Sequence, residues 1–226
     1  MASPKFIPFY PPPEYSESQR RKISSEYYEL MNNRRTVREF SSTPISLEVI
    51  DDCIKTANTA PSGANLQPWH FCVVSDANVK SQIRIAAEKE EHEFYTHRAT
   101  PEWLEALEPL GTNKQKDFLE TAPVLIVVFM QKYGKLIDGR PCKHYYPQES
   151  VGLATGMLIS AIHNAGLVSL THTPSPMNFL NKILDRPENE RPFLLLVVGH
   201  ASSNAEVPNI HRKTIDQIRP LFYVSF

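Results

Sequence analysis

The chain has 226 residues, 41% hydrophobic and 22% charged, with a formal net charge of −1 at pH 7. Such a length can bury on the order of 70% of its unfolded surface without disulfides or metals, and the even charge balance gives generic nucleic-acid binding no support. Cys53, Cys72 and Cys142 are odd in number and unpatterned, which argues for a reducing compartment. No stretch reaches the roughly 18 apolar residues of a membrane span, and the start lacks the apolar core of a signal peptide. A soluble, cytoplasmic protein is therefore expected.

Residues 1–22 combine prolines with aromatics, as in "FIPFYPPPEY", and read as an extended arm, either mobile or laid across a partner. Residues 23–226 read as one mixed domain, without repeats or a dividing linker. "SSEYYELMNN" places Tyr27, Leu30 and Met31 on one helical face. A second helix starts after Ser46, a plausible N-cap, with Val49, Ile50, Cys53, Ile54 and Ala57 as its apolar stripe. "APSGANLQP" breaks it, and "WHFCVVSD" alternates as a strand. Asp76 caps a long helix through "EKEEHEFY", after which 96–113 reads as irregular. "PVLIVVFMQ" is a continuous apolar strand of the kind covered on both faces. In the helix "QESVGLATGMLISAIHNAG", Gly152, Gly156 and Ser160 form a small-residue stripe that permits close helix contact. "LVSLTHTP" is a strand, Ser175-Pro176 predicts a short helix with Pro at its first position, and "RPFLLLVVGHA" is the last strand.

Four local patterns are candidates for chemistry. "RRTVREF" packs Arg34, Arg35 and Arg38 into five positions. They serve either as cations at a helix C-terminus or as planar donors converging on a phosphate-like anion. "APSGANLQPW" offers a turn with exposed amides and the hydroxyl of Ser62, or is an ordinary loop. "THTP" sets polar side chains at the end of an apolar strand, where ligands of α/β sheets commonly sit, or is simply a polar strand terminus. Glu91 and Tyr95, four apart, share a helical face, and Lys116 follows the irregular segment. A carboxylate, a phenol and an ammonium brought together would suit a zwitterion such as an amino acid. The histidines are scattered and no HExxH or CxxC occurs, so no metal site is expected.

Taken together, "RRTVREF", "APSGANLQPW", the Glu91/Tyr95/Lys116 set, "THTPSP" and "IHRKTIDQI" resemble the nitroreductase-like flavoproteins, and within them the reductive halotyrosine dehalogenases. The resemblance runs from about Phe6 to Ile218 and depends on several motifs matching in order. It implies an α+β fold, a central mixed β-sheet surrounded by helices, in an intertwined homodimer with FMN at the interface. By the same resemblance Arg34, Arg35, Thr36, Val37, Arg38 and Arg212 meet the FMN. Pro61 and Ser62 belong to a loop contributed by the other subunit, and Thr171, His172 and Thr173 line the isoalloxazine edge. Thr173 would be catalytic, its hydroxyl at flavin N5 favouring one-electron steps. Ala64 would lie near the substrate, while Glu91, Tyr95 and Lys116 grip its ammonium and carboxylate and close the segment 88–116 as a lid.

The implied activity is FMN-dependent reductive dehalogenation of 3-iodotyrosine, 3,5-diiodotyrosine and their bromo and chloro counterparts. Electrons would come from NAD(P)H or an unidentified reductase. A general NAD(P)H-dependent nitroreductase and a non-catalytic halotyrosine-binding flavoprotein are the alternatives. Two features set this chain apart: no membrane anchor is seen at its start, and His172 stands where some relatives carry threonine.

Overall fold

The computed structural model describes residues 5–136 and 138–222. Four antiparallel strands form the central sheet in the order β1 (Trp69–Val74), β2 (Val124–Gln131), β6 (Glu190–Gly199) and β5 (Val168–His172). A parallel element enters through an isolated bridge between Thr36 and Ser169. The hairpin β3 (Tyr133–Lys135) and β4 (Pro141–Lys143) stands apart as a two-stranded sheet.

Val124 to Phe129 of β2 are at most 2% exposed, because both faces of the sheet are covered. Strand alternation divides them. Ile126 and Val128 pack with Leu194, Leu196 and Val198 beneath α2 (Leu47–Ala57) and α6 (Pro147–Asn164). Leu125, Val127 and Phe129 pack with Leu195 and Val197 against α3 (Ala77–Glu93), α5 (Phe118–Thr121) and α7 (Phe179–Ile183). Ile126→Ala is expected to cost about 2–5 kcal/mol in urea unfolding, since the cavity would open between two layers that cannot both collapse.

Local chemistry sets the helix ends. Ser46 Oγ accepts from the Glu48 amide at 3.2 Å, and Asp76 accepts from Asn78 and Val79 at 2.9 Å. In α2 the buried face is Ile50, Cys53 and Ala57, while Val49 from the expected stripe is exposed. Gly199 permits a close crossing: a Cβ there would lie 2.8 Å from Phe40 and 2.9 Å from Pro123.

Several expectations change. The extended arm ends before residue 22, because α1 already runs Glu17–Asn32 from a capping box made by Ser16 and Gln19. Residues through Arg34 form one compact unit and those from Arg35 onward another. The segment 96–113 is mostly helical, with a π turn at Phe94–Arg98, α4 at Pro101–Leu107 and a 3-10 turn at Glu108–Leu110. Thr100 accepting from Trp103 and Pro101 at the first helical position are the start signals for α4. The helix expected at Ser175-Pro176 begins instead at Phe179, with Asn178 as its cap residue. A short α8 (Ile215–Ile218) lies in the C-terminal stretch. In the stripe Gly152-Gly156-Ser160, a Cβ on Gly156 would meet nothing within 4 Å among the described residues, and Leu153 nearby is 53% exposed.

Candidate functional site

"RRTVREF" is not helical. The helix α1 stops at Asn32 with no basic residue in its last turn, so the reading as helix C-terminal cations does not extend to Arg35 and Arg38, which lie on the extended run beyond its cap Asn33. Arg34 closes the first unit, its backbone N–H donating to the Met31 carbonyl at 3.2 Å. Arg35 opens the second, and from there the chain runs extended beside the sheet. Val37 donates to the Ser169 carbonyl at 3.3 Å, Phe40 bridges to Ala201, and Ser41 donates to the His200 carbonyl at 2.9 Å. Val37 and Phe40 are buried and act as pegs, while Thr36 and Arg38 alternate with Val37.

Arg35 is half-buried and its guanidinium donates to the Pro208 carbonyl. Arg38 is half-buried too. Burial lowers its pKa, and the field of Tyr95 partly opposes that shift. Arg38 and Tyr95 thus lie within each other's electrostatic field.

The residues expected to form a lid converge. Lys116 is 3% exposed, and its Nζ lies 3.1 Å from Glu91 Oε2. The same ammonium donates to Thr112 Oγ1 at 3.4 Å and to the Asn113 carbonyl. Its charge sits 5.9 Å from the Tyr95 ring centroid. Burial raises the Tyr95 pKa, against a hydrogen bond with Thr112. Tyr95 belongs to the π turn after α3, not to the α-helical face shared with Glu91 that the spacing predicts. Glu88 closes the base of the segment: its Oε1 accepts the Lys116 backbone N–H at 2.8 Å and the Arg84 Nε–H at 2.9 Å.

At the end of β5, Thr171 and Thr173 are exposed and His172 is buried between them. The His172 ring meets Phe118 edge-on at 5.7 Å. Burial, aided by the Lys116 charge, pushes its pKa down to about 3. Its Nε2 is buried without a hydrogen-bond partner among the described residues. His172 is thus neutral at ordinary pH. Because its folded pKa lies below the ordinary 6.5, the unfolded chain binds the extra proton more readily. The stabilising effect of keeping this ring neutral is complete above about pH 6.5 and is lost as pH falls toward about 3. Urea unfolding of His172→Thr across that window is expected to show a flatter loss of stability on acidification than the parent chain.

The remaining expected residues lie elsewhere in the second unit. Pro61 and Ala64 are exposed and Ser62 half-buried. Ser62 Oγ accepts from the Gln67 amide at 2.9 Å, and the Gly63 amide donates to Ser150 Oγ at 3.4 Å, which ties this loop to α6. Ala64, Asn65 and Gln67 all have positive φ, so the loop holds its backbone in a left-handed conformation. Gly63 is required there, because a Cβ would lie 2.6 Å from the Tyr145 carbonyl oxygen. Arg212 is exposed on the C-terminal stretch ahead of α8. No group of three or more metal-ligating side chains occurs among the described residues.

Sequence reading missed Glu88, Arg98, Thr112 and Phe118, which pack or bond around the predicted set. Only Glu88 had a readable signal, its helical spacing from Arg84.

The chain belongs to the nitroreductase family, which it matches over residues 31–200. Within that family it stands among the iodotyrosine deiodinases. The iodotyrosine deiodinase of Haliscomenobacter hydrossis is 59% identical over 210 residues, 93% of this chain and 94% of that one. Human iodotyrosine deiodinase 1 is 45% identical over 205 residues, 90% of this chain and 71% of that one. Among solved structures, an oxidised iodotyrosine deiodinase bound to FMN and 3-iodo-L-tyrosine superposes with a TM-score of 0.73 at 33% identity, covering 88% of this chain and 100% of that chain. A nitroreductase with bound FMN from Bacteroides fragilis shares the fold, with a TM-score of 0.62 at 18% identity over 88% of this chain and 99% of that one. No helix among the described residues is long and apolar enough to cross a membrane.

Proposed function

We propose that this chain is an FMN-dependent reductive dehalogenase of halotyrosines, acting on 3-iodotyrosine, 3,5-diiodotyrosine and the bromo and chloro analogues. The observation that carries the reading is the pair of half-buried Glu91 and buried Lys116 beside Tyr95, within the electrostatic reach of Arg38. An acid and a base so placed next to a phenol match an amino-acid zwitterion. A general nitroreductase acting on bare aromatic rings has no use for that pair.

The residues fit FMN by their donor chemistry. Arg35 and Arg38 bring planar guanidiniums to a segment held against the sheet, and charge-assisted bonds from such groups suit a phosphate or an electron-rich ring edge. Thr36, Val37 and Arg212 complete the proposed contact set in this unit. Thr171 and Thr173 present hydroxyls at the exposed end of β5, with the His172 backbone between them. When bound, FMN supplies the two electrons of the reaction. Those electrons and one proton convert the aryl carbon–halogen bond to a carbon–hydrogen bond and release halide.

The chain's own residues position and exclude. Glu91 takes the substrate ammonium and Lys116 its carboxylate, each exchanging the partner it has here. Tyr95 and the helices of segment 88–116 then cover the ring and keep water away. Thr173, exposed just beyond β5, would offer its hydroxyl proton to the flavin edge, at N5. His172, with a pKa of about 3, stays neutral and cannot supply the proton near neutral pH. NAD(P)H or a separate reductase replenishes the electrons.

A second copy of the chain completes the site, adding Pro61, Ser62 and Ala64 from its own loop. Support comes from apolar surface one chain leaves uncovered: Leu153 at 53%, Ile215 at 54%, Ile218 at 60% and Phe222 at 93% exposure. The aromatics Phe6, Phe9 and Tyr10 are more than 80% exposed as well.

Anaerobic reduction with dithionite followed by 3-iodotyrosine tests the reading. Reoxidation of the flavin with matching iodide release is expected. Tight binding of 3-iodotyrosine without turnover would assign a sensing role instead, and turnover confined to nitroaromatics would assign the general reductase.

A further inference from the structure

We propose that Arg98 is a positioning residue for the zwitterion end of the substrate, a latch that ties the lid to the loop following β5. The proposal rests on the halotyrosine reading above. Arg98 is the last residue of the π turn Phe94–Arg98, a form that recurs at functional sites. One face of its guanidinium fork donates to the Ser175 carbonyl at 2.6 Å. The other donates to the Glu90 carbonyl at 2.6 Å and lies 3.2 Å from the Glu90 carboxylate. Ser175 is two residues beyond Thr173, and Glu90 adjoins Glu91. One side chain therefore spans the segment that holds the substrate zwitterion and the segment at the flavin edge.

An exposed Arg–Glu pair by itself contributes little to stability. Two of the three acceptors here are main-chain carbonyls, and one lies 77 positions away in sequence. Main-chain acceptors fix the backbone at both ends, which a surface ion pair does not. The planar fork matters as well, since an ammonium is a single point and cannot reach both carbonyls in the same orientation. With the latch made, the distance from the Glu91–Lys116 pair to Thr173 is set; without it the lid can shift while both halves remain folded. The latch matters only to substrates held by their ammonium and carboxylate.

The test compares the parent protein with Arg98→Ala and Arg98→Lys, each carrying FMN. The first readout, independent of turnover, is amide hydrogen exchange over residues 90–110. Both variants are expected to exchange there about 10-fold faster or more, with the central strands β2 and β6 unchanged. The second is iodide release under dithionite from 3-iodotyrosine and from 2-iodophenol, an aryl iodide with no ammonium or carboxylate. KM for 3-iodotyrosine is expected to rise about 10-fold while turnover of 2-iodophenol stays at the parent level. Parent-like exchange in Arg98→Ala, or equal losses for both substrates, would overturn the latch. A parent protein that releases no iodide from 3-iodotyrosine would remove the halotyrosine reading alone, and the exchange data would still decide whether Arg98 holds the lid.

Discussion

Arg38→Ala is expected to purify largely without FMN, with affinity for added cofactor down by about 100-fold or more. The size follows from what a half-buried guanidinium supplies. Each charge-assisted bond contributes about 1.5–3 kcal/mol, and a planar fork makes two at once. Arg38 sits where burial has already removed part of its hydration, so an anionic or electron-rich partner gains more from it than from an exposed lysine. Alanine leaves the extended backbone free to keep its bonds to Ser169 and His200, so the fold should survive. The ratio of flavin absorbance near 450 nm to protein absorbance reads the result directly. A variant as yellow as the parent, with the same FMN content, would remove Arg38 from the cofactor site.

The second large effect is at the lid. Glu91→Gln is expected to weaken 3-iodotyrosine binding by about 100-fold or more while FMN affinity holds. Glu91 is the acidic partner of a nearly buried lysine, and neutralising it removes the group that would receive the substrate ammonium. Breaking one side of such a pair costs about 3–5 kcal/mol, because the remaining charge stays out of water. Lys116 keeps its bonds to Thr112 and Asn113, which should hold the lysine in place and confine the loss to ligand binding. Titration of flavin fluorescence with 3-iodotyrosine measures it. Equal affinities in the two proteins would mean that the zwitterion is held elsewhere.

Much of the site was written in local chemistry. The density of arginines in "RRTVREF" stood out in a chain with a net charge of −1, and the structure sets Arg35 and Arg38 on an extended run beyond the end of α1. The caps Ser46 and Asp76 were legible because each acts on amides two or three residues away. The lid was harder to read. Its prolines and glycine suggested irregular chain, whereas Thr100 and Pro101 start a helix whose apolar face is too short to show a period. Tyr95 was placed by helical spacing, but it falls in the π turn, where its ring centroid lies 5.9 Å from the Lys116 ammonium. The small-residue stripe of α6 leaves open space at Gly156, where a Cβ would meet nothing within 4 Å among the described residues.

By itself the sequence determined the elements and their apolar faces: the continuous run of β2, the capped helices on either side, and the residue types able to hold an anion and a zwitterion. Those are consequences of periodicity and of bonds between near neighbours, which any short window of the chain contains. Only the tertiary structure decided that Glu91 and Lys116 meet at 3.1 Å, that His172 is buried against Phe118, and that Arg98 reaches Ser175. Such meetings depend on how the layers pack on the sheet, because burial and distance between remote residues are set by the summed contacts of the whole core and not by any one segment.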